Sequence, residues 1–470
     1  MLDMFFDPKS IAVIGASADS TKLGYQVLSN LVSSGFPGAI YPINPTATEI
    51  LGLKVFKSVL DVPGPIDMVV ILIPSRAVVS VMRECGQKGV QGAVIITAGF
   101  REAGPGGVAL EKELLEVADE YGIRVIGPNC LGIIDTFVPM NVSFAAGTPK
   151  SGSIAFMSQS GALCTAILDY ALAETIGFSH FVSLGNKADV DEVSLLEAWG
   201  DDDRTNVIIA YIEGLKDGAQ FIKQARATAG RMPIIAVKSG RTASGSRAVS
   251  SHTGSLAGAD AAYSAGFKQA GVLRAETVEE LFDFSTAFAY QPLLKGNRIA
   301  IVTNAGGPGV MATDALEMNG LVLASLSPET QEALKSELPA AASAHNPVDV
   351  LGDARSDRYM KALEVVLADA NVDGVLVIVT PQTSTEIVET ARGVVDVCTR
   401  AKKPILGCWM GKQEAMAGID ILAKNRVPNY HFPERAVKAF GAMYTYRQWL
   451  AEPHTEGESF TVDREAVAKV

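Results

Sequence analysis

Ile11-Ala12-Val13-Ile14-Gly15-Ala16-Ser17-Ala18-Asp19-Ser20-Thr21-Lys22-Leu23-Gly24 decides the fold class. Four apolar residues without polar alternation run into a glycine, and a helical pattern follows around Leu23–Val32. An uninterrupted apolar run marks a strand buried on both faces, as in a parallel sheet covered by helices. Similar runs recur at Ala39 (AIYPINP), Asp67 (DMVVILIP), Gln91 (QGAVIIT) and Ile123 (IRVIGPN), with a second helical pattern around Ala77–Gly86. Strands alternating with helices in this way imply βαβ units and a doubly wound sheet.

Outward from that unit the pattern stops and restarts twice. A Pro/Gly/Lys-rich break at Gly147–Ser153 precedes apolar runs at Ile154, Phe181, Val207 and Pro233. A second break, Leu293 to Arg298, precedes runs at Ile299, Val322, Asp373 and Pro404. Three consecutive doubly wound α/β domains are therefore expected, near 1–130, 131–292 and 296–450, with a polar, mobile tail over 451–470. The length of 470 residues agrees, at about 150 residues per domain.

Composition narrows the function. Forty basic against fifty-two acidic residues give a net charge of −12, which as a whole repels nucleic-acid phosphates and anionic lipid but leaves room for a local anion pocket. Neither a nucleic acid nor a membrane is an expected partner. The five cysteines are scattered, with no CxxC pair, which argues against disulfides and zinc and suits a reducing, cytoplasmic setting. No metal site is expected on this chain. The start, MLDMFFDPKS, lacks the apolar core of a signal peptide, and no apolar run reaches the ~18 residues of a membrane span.

Three strand-to-helix turns carry the candidate chemistry. At Gly15, free N–H groups and a helix dipole make a phosphate site, with Lys22 close by. The second and third glycines of the dinucleotide fingerprint are absent, and the next strand ends in Asn44-Pro45 without an acid, so NAD is disfavoured. The alternative is an ordinary tight turn. The second turn is Ser158-Gln159-Ser160-Gly161-Ala162; Ser158 and Ala162 replace the glycines of an esterase elbow, so a phosphoryl group suits it better than a hydrolase serine. The third, Thr303-Asn304-Ala305-Gly306-Gly307-Pro308-Gly309, has the same form.

Of five histidines, His252 lies in a Gly/Ser-rich loop, Ser250-Ser251-His252-Thr253-Gly254-Ser255, downstream of Lys238 and Arg241. Such a loop builds no core, and a neutral imidazole near pH 7 is a phosphoryl acceptor; the competing reading is an inert surface histidine. Glu213 ends an apolar run, where open α/β sheets place ligands. A carboxylate there accepts a hydrogen bond from one imidazole nitrogen and frees the other; a solvated strand-end acid is the alternative. His345, before Asn346-Pro347, is ambiguous, the Asn-Pro turn explaining most of its segment.

Together these segments resemble the nucleoside-diphosphate-forming acyl-CoA synthetases, the superfamily of succinyl-CoA synthetase. The first domain is similar to the family's Rossmann-like CoA-binding domain, above all at Gly127-Pro128-Asn129-Cys130-Leu131-Gly132. The second resembles its phosphohistidine domain, with Gln159 where succinyl-CoA synthetase often has Arg, and the third its flavodoxin-like ligase domain. The order resembles the α subunit of ADP-forming acetyl-CoA synthetases. The resemblance implies CoA at Gly15, Ser17 and Lys22, its adenine near Ile73-Pro74, and the acyl group at Asn129-Cys130. It implies phosphorylation of His252, steadied by Glu213, between helix starts at Ser158-Gln159-Ser160-Gly161-Ala162 and at Gly306, Gly307 and Gly309.

The family's ATP-grasp domain, which binds ADP/ATP and Mg2+, has no counterpart in the sequence. Either an ATP-grasp β subunit supplies it, in an α2β2 assembly, or the chain is part of a fused protein; Phe460–Glu465 is compatible with the start of a linker. The second functional reading is a non-catalytic, acyl-CoA-binding regulatory region of a protein acetyltransferase-type fusion. His252 and Glu213 together favour catalysis.

Overall fold

The structure is a computed structural model that describes residues 2–247 and 260–453. Three main sheets follow one another along the chain. The first is five-stranded and parallel, built from Ser10–Ile14, Ala39–Ile43, Met68–Ile71, Gly92–Ile95 and Arg124–Ile126. Its three inner strands are buried throughout, as the unbroken apolar runs require, and Val13, Val70 and Ile95 are fully enclosed, while the edge strand Ala39–Ile43 is buried only at its end.

The second sheet has seven strands. Five run parallel, Ser151–Ser158, Phe178–Ser183, Val207–Ile212, Ile234–Lys238 and Val272–Ala275. Two short ones, Gly132–Asp135 and Met140–Ser143, join antiparallel beside Phe178–Ser183. The third sheet contains Arg298–Thr303, Val322–Leu323, Val348–Asp349, Gly374–Val379 and Ile405–Trp409, all parallel.

Numbered within each sheet, the parallel strands of the first two run 2-1-3-4-5; the third runs 2-1-4-5, with its short third strand Val348–Asp349 also paired to strand 1. In each, the first strand lies beside a later one reached by crossover, so the connections diverge there. A crevice opens at such a switch point, at the carboxyl ends of the strands. The Gly15, Gly161 and Gly306 turns all follow the first parallel strand of their sheet.

Helix starts obey local chemistry. Ser160, Asp191, Asp217 and Thr277 cap their helices by accepting backbone N–H groups. Gly89 and Gly122 end theirs with positive φ. One core runs through all three units, from Phe5 and Leu28 through Ile133 and Phe156 to Phe440. Asn30 on the helix Leu23–Ser33 donates to the Ser143 and Ala145 carbonyls at 2.8 and 2.9 Å, tying the first unit to the second. Arg435, on the helix Pro433–Ala451, grips Asp283 of the helix Val278–Tyr290 at 2.6 and 2.8 Å, and Tyr430 donates to the Asp283 carbonyl. Among the described residues no helix is long and apolar enough to cross a membrane.

Candidate active site

A cleft of about 1180 Å³ lies between the first and second sheets, where their switch points face each other. Its wall on one side is Gly15, Lys22, Gly24, Ile73 and Thr97; on the other it is Gln159 to Ala162 and Glu213 to Lys216. Asn129 and Cys130 join the two.

Gly15 has φ +91°, and a Cβ there would lie 2.5 Å from the Leu72 carbonyl oxygen, so the turn takes only glycine. Asn44 donates to the Ala16 carbonyl at 2.8 Å and fixes the same turn. The helix starts eight residues later, at Leu23, rather than at Gly15 itself, and Lys22 is its exposed N-cap residue. Gly24 then performs a task the sequence reading treated as missing. A Cβ on it would stand 2.0 Å from the Gly15 carbonyl oxygen, so this glycine lets the helix close on the turn.

The far wall is held by Gly185–Val190, whose backbone zips onto the first unit. Asn186, Ala188 and Val190 donate to the carbonyls of Pro128, Gly127 and Val125 at 2.8, 2.9 and 3.0 Å. Asp189 pairs with Arg124 at 2.8 and 3.0 Å. The Asn186 amide donates to Glu102 and Glu111 at 2.6 and 2.9 Å and accepts from Asn129 at 3.3 Å. Burial pushes the Glu102 carboxyl up, but Asn186 and the N–H groups of Gly99 and Phe100 outweigh it and hold it below the usual range.

At the second switch point the helix Gly161–Ala173 presents its N-terminus to the cleft. Glu213, 8% exposed, follows the neighbouring strand. A helix N-terminus facing a carboxylate across open space can hold an anion on one side and orient a proton-bearing ring on the other.

Several expected ligands play different parts. The Ser158 hydroxyl is buried and spent within the turn, accepting from Ser160 N at 3.0 Å and donating to Ser160 O at 3.1 Å. Gln159 lines the cleft, but its amide is spent too. Its Oε1 accepts from the N–H groups of Glu213 and Gly214, and its Nε2 donates to Gly214 O and to Glu192. The side chains of both therefore shape the turn, and Ser160, Gly161 and Ala162 line the cleft at the helix start. Gly309 is buried and its N–H bonds to Ala305 O inside its helix. Gly306 and Gly307 are exposed at the third switch point and do not line this cleft. Ser17 and Pro74 flank it without lining it. Cys130 sits in its floor, with a thiol that burial pushes up to about 12 and that donates to Ile95 O. His252 lies outside the described residues.

Sequence reading missed Asn186, Lys187, Glu192, Glu102 and Lys216. The only local signal is positive φ at Gly185 and Lys187, invisible before folding.

Residues 9–136 match the CoA binding domain family, 151–288 the succinyl-CoA ligase like flavodoxin domain, and 299–452 the ligase-CoA domain. A Pyrococcus furiosus protein named acetate–CoA ligase [ADP-forming] II subunit alpha is 45% identical over 447 residues, 94% of this chain and 97% of that one. This chain belongs to the ADP-forming acyl-CoA synthetase family. Membership makes it an acid–thiol ligase that uses CoA and ADP or ATP. A 4-hydroxybutyrate–CoA ligase [ADP-forming] from Nitrosopumilus maritimus is 39% identical across 98% of this chain and 67% of its own length. Among solved structures, the acetyl-coenzyme A synthetase 1 of Ca. Korarchaeum cryptofilum in complex with phosphate and ADP superposes with a TM-score of 0.92 at 42% identity, covering 96% of this chain and 98% of that one. Relatives named as ligases along nearly the whole chain do not favour the regulatory reading.

Proposed function

We propose that the chain interconverts acyl-CoA, phosphate and ADP with carboxylic acid, CoA and ATP through a phosphohistidine at His252, with Glu213 as the residue that orients the ring. The supporting observation is the second switch point, where Glu213 and the N-terminus of the helix Gly161–Ala173 line one cleft with the Gly15 turn and Lys22. A phosphate oxygen attacks the thioester carbonyl, the C–S bond breaks, and CoA leaves as thiolate and takes a proton. The imidazole then attacks phosphorus and the P–O bond to the acyl group breaks, releasing carboxylate. ADP finally takes the phosphoryl group as the P–N bond breaks. A phosphoryl group of about −2 charge at the N-terminal N–H groups of Ser160-Gly161-Ala162 gains on the order of 1 kcal/mol from the helix dipole, and more where water is excluded.

The cleft also fits CoA. Gly15 lines the open space, Lys22 supplies a cation beside it, and the space continues past Ile73 to Asn129 and Cys130. In this reading the units 1–130, 131–292 and 296–450 bind CoA, carry the histidine and brace it. A separate ATP-grasp subunit, like the partner implied by the subunit alpha relative, supplies the nucleotide and Mg2+ site in an α2β2 assembly in the cytoplasm.

The test is labelling of the assembled complex with γ-labelled ATP and Mg2+. His252→Ala should abolish an acid-labile, base-stable label while leaving CoA binding intact, and Glu213→Gln should slow labelling. A label that persists in His252→Ala places the phosphoryl group elsewhere.

A further inference from the structure

Lys187 lines the cleft and would be read as an anion ligand, but its ammonium is engaged elsewhere. Its Nζ lies 3.0 and 3.3 Å from the two oxygens of Glu192 and also donates to Gly214 O, which accounts for its three N–H bonds. Glu192 is 2% exposed and opens the helix Glu192–Trp199, so its carboxylate lies in the first turn, where the helix dipole favours it. The same carboxylate accepts from Gln159 Nε2.

Gln159 completes the cluster. Its Oε1 accepts from Glu213 N at 3.0 Å and Gly214 N at 3.2 Å, and its Nε2 donates to Gly214 O at 2.8 Å. The Gly214 carbonyl thus has two side-chain donors, and the Glu213 and Gly214 N–H groups share one acceptor. The peptide that carries Glu213 is fixed on both sides.

The third sheet provides an internal comparison. Its turn is built alike, with the Thr303 hydroxyl bonding Ala305 N and O as Ser158 bonds Ser160. Asn304 stands where Gln159 stands and clasps the end of the adjacent strand, accepting from Thr380 N at 2.9 Å and donating to Thr380 O at 3.0 Å. Its side-chain partners across that clasp are the hydroxyls of Thr380, which donates to Asn304 Oδ1 at 3.0 Å, and Thr385, and neither belongs to a lysine–glutamate pair. The amide clasp with neutral hydroxyl partners therefore completes a switch point of this fold. The Lys187–Glu192 pair behind Gln159 is an addition, made despite the cost of desolvating two charges.

We propose that Lys187, with Glu192 and Gln159, is a positioning residue that sets the direction of the Glu213 carboxylate. Lys187 then governs the rate of phosphoryl transfer to the histidine and not the affinity for phosphate. The inference rests on the reading of Glu213 and His252 given above. It places a cleft-lining cation outside the set that touches substrate.

The experiment uses the chain assembled with its ATP-grasp partner, γ-labelled ATP with Mg2+ in one direction, and acetyl-CoA with inorganic phosphate in the other. In Lys187→Met the rate of histidine labelling should fall on the order of 10²-fold, the scale of a misplaced catalytic group. The KM for phosphate and the calorimetric Kd for CoA should stay within about twofold, because no substrate contact is lost. Lys187→Arg, which keeps a cation for Glu192, should recover most of the rate. In a Glu213→Gln background, Lys187→Met should cost little more, since it acts through a group already disabled. A raised KM for phosphate at unchanged labelling rate, an unchanged rate, or additivity with Glu213→Gln would overturn the proposal. Failure of the underlying reading looks different, because Glu213→Gln would itself label at the normal rate. Should Lys187→Met lose CoA binding through misfolding, Gln159→Asn, which withdraws the clasp by one methylene, carries the same test with the same outcomes.

Discussion

Replacing Gly24 with alanine sets two effects of similar size against each other. Alanine is favoured over glycine within a helix by about 1 kcal/mol, so propensity alone expects a gain. The added Cβ, however, would stand 2.0 Å from the Gly15 carbonyl oxygen, 3.0 Å from its carbon and 3.3 Å from the Ala16 Cα. These are backbone atoms with no rotamer to yield, and non-bonded heavy atoms settle near ~3.5 Å. The helix Leu23–Ser33 has to retreat from the turn by more than about 1 Å, and overpacking of this kind costs typically ~1–3 kcal/mol. The clash wins. Because Lys22 and the Gly15 turn both line the cleft, the retreat should show most in CoA affinity. We expect a Kd raised at least ~10-fold by calorimetry, equivalent to about 1.4 kcal/mol. Gly106, in the helix Pro105–Tyr121, has nothing within 4 Å of its would-be Cβ, so Gly106→Ala should leave CoA binding unchanged and is the control. Wild-type CoA affinity in Gly24→Ala would refute the assignment of this turn.

Two further outcomes follow from burial. His180 is 1% exposed, 2.7 Å from Asp202 and 2.9 Å from Asp135, and its ring stacks on Trp199. Burial lowers its pKa, but the two carboxylates outweigh burial and raise it above the ordinary 6.5. The stability this contributes is complete below the unfolded value and is lost as pH rises through the higher folded one. Urea unfolding should show a loss in that window that His180→Gln lacks, and equal pH dependence in both proteins would contradict the charged imidazole. Cys130→Ser should keep turnover within a few-fold, since a thiol pushed up to about 12 and bonded to Ile95 O is no nucleophile near neutral pH. Loss of acyl transfer in that variant would make Cys130 a covalent participant.

The parallel sheets were legible because their strands are buried on both faces and so read as unbroken apolar runs, from Ile11 to Trp409. The antiparallel pair Gly132–Asp135 and Met140–Ser143 escaped because each strand is four residues long and follows the Gly127–Gly132 motif, which reads as a turn. The place of Glu213 in the cleft was legible because a strand end at a switch point is where open α/β sheets put their crevice. Lys187 and Glu192 were not, because their roles depend on Gln159 and Gly214, which the fold alone brings alongside. Asn186 shows the same limit, meeting Glu102 across 84 residues. Ser158 and Gln159 marked the turn, and what the sequence did not show is that their side chains are engaged within it. Their side chains build the turn, and its helix N-terminus is what the cleft exposes.

The central claim is that a phosphoryl group on His252 is an intermediate competent in both directions. The direct measurement is a chase of the isolated labelled complex. The label should transfer to ADP, giving labelled ATP, and in a parallel sample should leave as inorganic phosphate on addition of CoA and the carboxylic acid, with both discharges at least as fast as turnover. A label that resists either chase, or that discharges more slowly than the enzyme turns over, would contradict the account.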